Sequence, residues 1–213
     1  VNDKPYSYLE VGTYLGDSLI PHIKDDKCVL IYSVDPRSTS VPDARGISFD
    51  YHATAEKMLA HLQHKIPGSW FGKIKNYDMD AATFAEDEPT ASPKLVFIDA
   101  EHTNTAVVRD FLSIFPLLPA NAIVAFHDSN FVFDGLLNIV TILNYLRISF
   151  HWAFMPENVF VLAFGGYQYP VSLLPKHEIG PYLKSVRQKL NAEIAQNVLH
   201  PPNGAFWGGI EVH

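Results

Sequence analysis

The sequence predicts an α/β domain: a doubly wound, mostly parallel seven-stranded sheet that closes with an antiparallel C-terminal hairpin. Three observations carry this. Seven short apolar runs punctuate residues 7–165, and several are apolar throughout, the pattern of strands covered on both faces. Stretches with helical periodicity lie between them, as alternating strands and crossover helices require. The last two runs are separated only by Glu157 and Asn158 after Pro156. No crossover helix fits in that gap, so the final pair must be antiparallel.

Taken in order, the strands are expected at SYLEV (7–11), VLIYSVD (29–35), GKIKNY (72–77), KLVFIDA (94–100), AIVAFHD (122–128), FHWAFMP (150–156) and VFVLAFG (159–165). Helices are expected at 55–65, 104–118 and 134–147. In the second, Val107, Val108, Phe111, Leu112, Ile114, Phe115 and Leu118 form one apolar stripe. Residues 1–170 are read as the ligand-binding domain. Residues 171–213 are read as an appendage: a mixed-charge helix over 176–197, then the Pro/Gly/aromatic segment HPPNGAFWGGIEVH, which suits docking or a homo-oligomer contact. Phe206 and Trp207 there, with the loop SNFVFD (129–134), are candidates to border an acceptor pocket or, equally, ordinary core and docking residues.

Composition narrows the function classes. The chain has 213 residues, 47% of them apolar, enough for one sizeable core. A net charge of −7 argues against a nucleic-acid partner. No apolar run reaches membrane-spanning length. The stretch VNDKPYSYLEVG lacks the basic and apolar regions of a secretory leader, and its early strand implies sequence upstream. The single cysteine, Cys28, opens an apolar run and is read as core. A cytoplasmic, small-molecule protein without a membrane partner is the expectation.

The first strand runs into YLEVGTYLGDSL, with the pattern E-x-G-x-x-x-G-x-S. Gly12 and Gly16 allow a tight turn and close backbone approach to a ligand, and the following helix offers unpaired N–H groups. The loop suits a nucleoside-bearing cofactor with an anionic end. It matches neither the dinucleotide fingerprint nor the triphosphate loop, which disfavours a nucleotide-binding oxidoreductase or a nucleoside triphosphatase. Asp35, ending the second strand, suits the two hydroxyls of a ribose; the alternative is an Asp that starts a turn before Pro36. Two further strands stop abruptly at titratable groups: FIDAEHTN (97–104) at Asp99, Glu101 and His102, and AIVAFHDSN (122–130) at His127 and Asp128.

With these motifs the chain resembles the class I S-adenosylmethionine-dependent methyltransferases, over residues 6–165. It is most similar to the catechol O-methyltransferase-like group, through E-x-G-x-x-x-G-x-S and the Asp ending strand four. It also resembles the macrolide-sugar O-methyltransferase and cephalosporin hydroxylase-like group, through Ile98-Asp99-Ala100-Glu101-His102 and Phe126-His127-Asp128. The resemblance implies that Glu10, Gly12, Thr13, Tyr14, Gly16 and Ser18 line the methionine end of S-adenosylmethionine, with Ser18 meeting its carboxylate. It places the ribose at Asp35 and the adenine near Tyr77, Asp78 and Met79.

Methyl transfer to a hydroxyl needs alignment of nucleophile, methyl and sulfur, and removal of the hydroxyl proton. Asp99 and Asp128 suit a divalent metal, Mg²⁺ or Mn²⁺, with Asp99 also bordering the cofactor. The third ligand departs from the resemblance. Catechol-type enzymes have an amide where this chain has Ser129, and the sugar-type enzymes a Glu where it has His127. His127 as a ligand shifts the preference toward Mn²⁺, Fe²⁺ or Zn²⁺. His102, three residues after Asp99, matches the base of both groups, and its alternative role is capping the helix that starts near Thr103. Glu101 is read as facing solvent. The expected function is metal-assisted O-methylation of a small molecule or sugar, and the alternative is a cofactor-binding module without catalysis.

Overall fold

The apolar runs form one seven-stranded sheet in a computed structural model, which describes residues 4–37, 46, 54–155 and 157–166. The strands are β1 (Tyr6–Val11), β2 (Cys28–Val34), β3 (Ile74–Tyr77), β4 (Leu95–Ile98), β5 (Ile123–Phe126), β6 (Phe150–Met155) and β7 (Val159–Phe164). Their order is β3-β2-β1-β4-β5-β7-β6. Strands β1 to β5 are parallel, and β7 runs antiparallel between β5 and β6. Glu157 and Asn158 both take left-handed backbone, φ 63° and 60°, as a tight hairpin requires. The proposed appendage at 171–213, with Phe206 and Trp207, and Pro156 lie outside the described residues.

Register decides where the strands stop. Val34 pairs with Tyr77, Val11 with Val34 and with Ile98, and Ile98 with Phe126. Five parallel strands therefore end level. The next residue of each, Gly12, Asp35, Asp78, Asp99 and His127, stands on one rim. Chain direction across the sheet reverses between β1 and β4, the place where open α/β sheets bind ligands.

The helices are α1 (Ile20–Lys24), α2 (Ala55–Gln63), α3 (Ala81–Asp87), α4 (Asn104–Ile114) and α5 (Phe133–Tyr145). They cover both faces. Strand β1 sends Leu9 and Val11 into a core shared with Phe111, Ile114, Leu136 and Ile139, and sends Tyr8 to the opposite face with Ile23, Met58 and Leu62. Gly135 lets α5 press against α4, since a Cβ there would stand 2.5 Å from Val107 Cγ1. Its N–H donates to Asn104 Oδ1 at 2.8 Å, which ties down the first turn of α4, two residues after His102.

Two elements differ from expectation. Residues 68–73 form a 3₁₀ segment, so β3 is shorter than the run GKIKNY. Helix α3 was not anticipated: at seven residues it is too short to show periodicity, and it is held by Asp80, which accepts from the Thr83 N–H at 2.8 Å. Among the described residues no helix is long and apolar enough to cross a membrane.

Candidate active site on the sheet rim

The loop after β1 takes its shape from the end of β4. Gly12 has φ 91°, and a Cβ on it would stand 2.2 Å from the Asp99 carbonyl oxygen, so only glycine lets the loop pass there. Gly16, φ 78°, closes the loop through an N–H to Thr13 O contact of 2.8 Å. Thr13 is buried and accepts from Ser33 Oγ at 2.9 Å. Tyr14 is exposed with φ 45°, and its N–H donates to Asp35 Oδ2 at 2.7 Å. The other Asp35 oxygen accepts the Arg37 N–H at 2.9 Å. The Asp35 carboxylate is thus fixed across the loop before any ligand arrives, and the two glycines leave a cradle a side chain would fill. That arrangement fits a cofactor with ribose hydroxyls.

Glu10 sits beneath this loop, 1% exposed. Tyr8 Oη donates to its Oε2 at 2.6 Å and Ser18 Oγ donates to its Oε1. Burial pushes its carboxyl up to about 7, against the two hydrogen bonds that favour the ionised form. Ser18 was expected to meet the cofactor carboxylate; its hydroxyl proton points to Glu10, and an incoming carboxylate would have to win that proton. Tyr8 in turn stacks on His22, ring centroids 3.8 Å apart. Burial holds that imidazole down to about 4.

Sequence reasoning missed Arg37. It has φ 45°, is 3% exposed, and donates to Asp78 and to Ser33 Oγ, the latter at 2.6 Å. It therefore joins the ends of β2 and β3. The available signal was its place two residues beyond Asp35. Asp78 is exposed on the rim in contact with Arg37. Tyr77 instead packs edge-on against Phe84 at 5.0 Å and donates to Glu88, on the α3 side of the sheet.

At the ends of β4 and β5, four side chains converge. The Asp99 N–H donates to Val11 O at 2.8 Å and the His127 N–H to Ile98 O at 3.0 Å, extending the ladder past the strands. Asp128 has φ 48°, a strained conformation for a non-glycine residue of the kind that gathers at functional sites. His102 Nε2 lies 3.1 Å from Asp99 Oδ1, and its Nδ1 lies 3.3 Å from Asp128 Oδ2. His127 Nδ1 lies 3.1 Å from Asp99 Oδ1 and 3.5 Å from Asp128 Oδ1. Each of the four offers a donor atom, and these atoms all lie within 4.8 Å of one another. All four side chains are partly open to solvent.

The neighbours of the cluster have other duties. Thr103, not His102, caps α4, accepting from the Ala106 N–H at 3.2 Å. Glu101 accepts from Thr103 Oγ at 2.8 Å rather than standing alone in solvent. Ser129, which takes the place of an amide ligand, is fully buried, and its N–H donates to Asn158 O at 2.8 Å.

A model of the methyltransferase domain matches residues 9–129, more than half of the chain, and contains every one of these rim residues. No curated protein sequence matches. Among solved structures, the O-methyltransferase NovP superposes with a TM-score of 0.57 at 9% identity, covering 76% of this chain and 73% of its own. TomG from Streptomyces achromogenes, an O-methyltransferase solved in complex with S-adenosylmethionine, gives 0.53 at 14% identity, covering 76% and 73%. These likenesses establish the fold, and the family match goes further: the chain belongs to the methyltransferase-domain family and is a class I S-adenosylmethionine-dependent methyltransferase.

Proposed function

We propose that the chain methylates a hydroxyl of a small molecule or sugar, with a divalent metal assisting. The observation that carries this is the meeting of Asp99, His102, His127 and Asp128 at the rim position next to Gly12. The likeness to NovP and TomG, both described as O-methyltransferases, supports the oxygen acceptor. S-adenosylmethionine supplies an electrophilic methyl on a sulfonium. Asp35 receives the ribose hydroxyls, and Glu10, Thr13, Tyr14 and Ser18 surround the methionine end. Asp78, carried on Arg37, borders the base. Asp99, His127 and Asp128 would hold the metal, and such an ion would lower the pKa of an acceptor hydroxyl. His102 takes the hydroxyl proton; with Thr103 capping α4, its imidazole lies against Asp99 and Asp128.

Calorimetry with S-adenosylmethionine, followed by transfer assays over a panel of sugars and phenols with and without divalent metal, tests the reading. Cofactor binding and metal-stimulated transfer to oxygen are expected. Folded protein that does not bind the cofactor overturns it. A second reading, cofactor binding without catalysis, is favoured by His127 and Ser129 standing where related enzymes carry Glu or an amide. Turnover that collapses in His102→Ala while cofactor affinity persists rules that reading out.

A further inference from the structure

The donors at the rim differ from those a hard cation prefers. Mg²⁺ and Ca²⁺ take oxygen ligands, and Mg²⁺ gives up its water reluctantly. The cluster offers two carboxylates and two imidazoles, and the two kinds are interleaved. His127 Nδ1 contacts both carboxylates, at 3.1 and 3.5 Å, and His102 contacts the same two at 3.1 and 3.3 Å. A cation drawn between Asp99 and Asp128 therefore meets imidazole nitrogen. The backbone holds the His127 ring at this place: its N–H continues the β4–β5 ladder, and Phe97 packs edge-on against the ring with centroids 6.0 Å apart. No third carboxylate joins the group among the described residues.

We infer that Asp99, His127 and Asp128, with His102 alongside, form a mixed nitrogen–oxygen site that selects a borderline first-row divalent ion, Mn²⁺, Fe²⁺, Co²⁺ or Zn²⁺, over Mg²⁺ and Ca²⁺. The inference rests on the proposed function only in placing a cation at this cluster. The class of ion follows from the donors and is independent of the acceptor.

The test uses the full chain stripped of metal and titrated with Co²⁺, whose visible absorption reports nitrogen ligation. Folding is checked by circular dichroism and cofactor binding by calorimetry on the same sample. Saturable Co²⁺ binding with a ligand-field band is expected, and about 100-fold excess Mg²⁺ should leave it in place. His127→Ala should weaken Co²⁺ by at least about 10-fold and move the band, and His127→Gln serves if the alanine variant is unstable. Displacement of Co²⁺ by equimolar Mg²⁺, or a spectrum unaltered by both His127 variants, overturns the inference. Binding of cofactor with no uptake of any of these ions overturns it too, while leaving methyl transfer standing. Absent cofactor binding defeats the proposed function alone, and the Co²⁺ spectrum still decides the class of ion.

Discussion

The two halves of the rim handle polarity in opposite ways. At the ends of β1, β2 and β3 the carboxylates are held by backbone, hydroxyl and guanidinium groups. Asp35 accepts two backbone N–H groups, Glu10 two hydroxyls, and Asp78 the Arg37 guanidinium. At the ends of β4 and β5 the carboxylates instead contact imidazoles that are themselves candidate ligands or bases. The first half is organised before binding, which lowers the cost of ordering a cofactor. The second half is a set of contacts a ligand would replace. On the proposed function the same sheet edge would separate cofactor holding from chemistry, by whether a carboxylate is held by fixed donors or by imidazoles.

Mutations on the two sides should therefore separate kcat from cofactor affinity. His102→Ala should lower kcat by about 10²–10⁴-fold, the usual range for loss of a general base, with S-adenosylmethionine affinity unchanged by calorimetry. A matching loss of cofactor affinity would erase the distinction. Gly12→Ala acts on the other half. It forces a Cβ onto the Asp99 carbonyl at a φ of 91°, and backbone strain of this kind costs about 1–3 kcal/mol before the clash is counted. Cofactor binding should be lost and the unfolding midpoint lowered; a normal affinity would mean the loop does not cross β4 as described. Asp35→Ala removes hydrogen bonds to a charged acceptor and should weaken the cofactor by about 1.5–3 kcal/mol, leaving kcat at saturation nearly unaltered.

Much of this division was legible in the residues, for identifiable reasons. The central strands are marked by apolar runs because burial on both faces leaves little room for polar alternation, whereas the edge strands β3 and β6 carry polar residues. Asp35, Asp99 and Asp128 stand out because each interrupts such a run. Other features are properties of the assembled chain. Arg37 reads as a surface cation in DPRSTS, and only the packing of β2, β3 and α2 buries it beside Met58. That His102 belongs with His127 and Asp128 depends on Ile98 pairing with Phe126, a register that neither strand encodes alone. The sequence offers His102 as a cap, and the backbone geometry gives that role to Thr103 instead. Helix α3 escaped because its seven residues hold less than two turns of pattern.

The smallest expected effect sharpens what being held by fixed donors means for Glu10. Its native carboxyl keeps a proton up to about 7, whereas an unfolded Glu loses it near 4.5. The native state thus binds more protons between these values, so Glu10 makes stability fall as pH rises from 4.5 to 7. Asp110, held up to about 6 by burial, acts with the same sign. His22 acts oppositely: it stays neutral down to about 4, so the unfolded state binds more protons between 4 and 6.5 and stability is lost on acidification. Because His22 stacks on the tyrosine that donates to Glu10, the opposing pair lies in one packed unit. Glu10→Gln removes only the first effect and keeps the shape. Urea unfolding of the wild type and this variant at pH 4.5 and pH 7 should show their stability difference changing by about 3 kcal/mol between the two pH values, in the variant's favour at pH 7. His22→Phe, which keeps an aromatic ring against Tyr8, should steepen the fall in stability from pH 4.5 to 6.5. If Glu10→Gln leaves the pH dependence as it was, Glu10 binds its proton equally in the native and unfolded chains. Its two hydroxyl donors then offset burial, and at pH 7 the first half of the rim carries a negative charge beneath the loop.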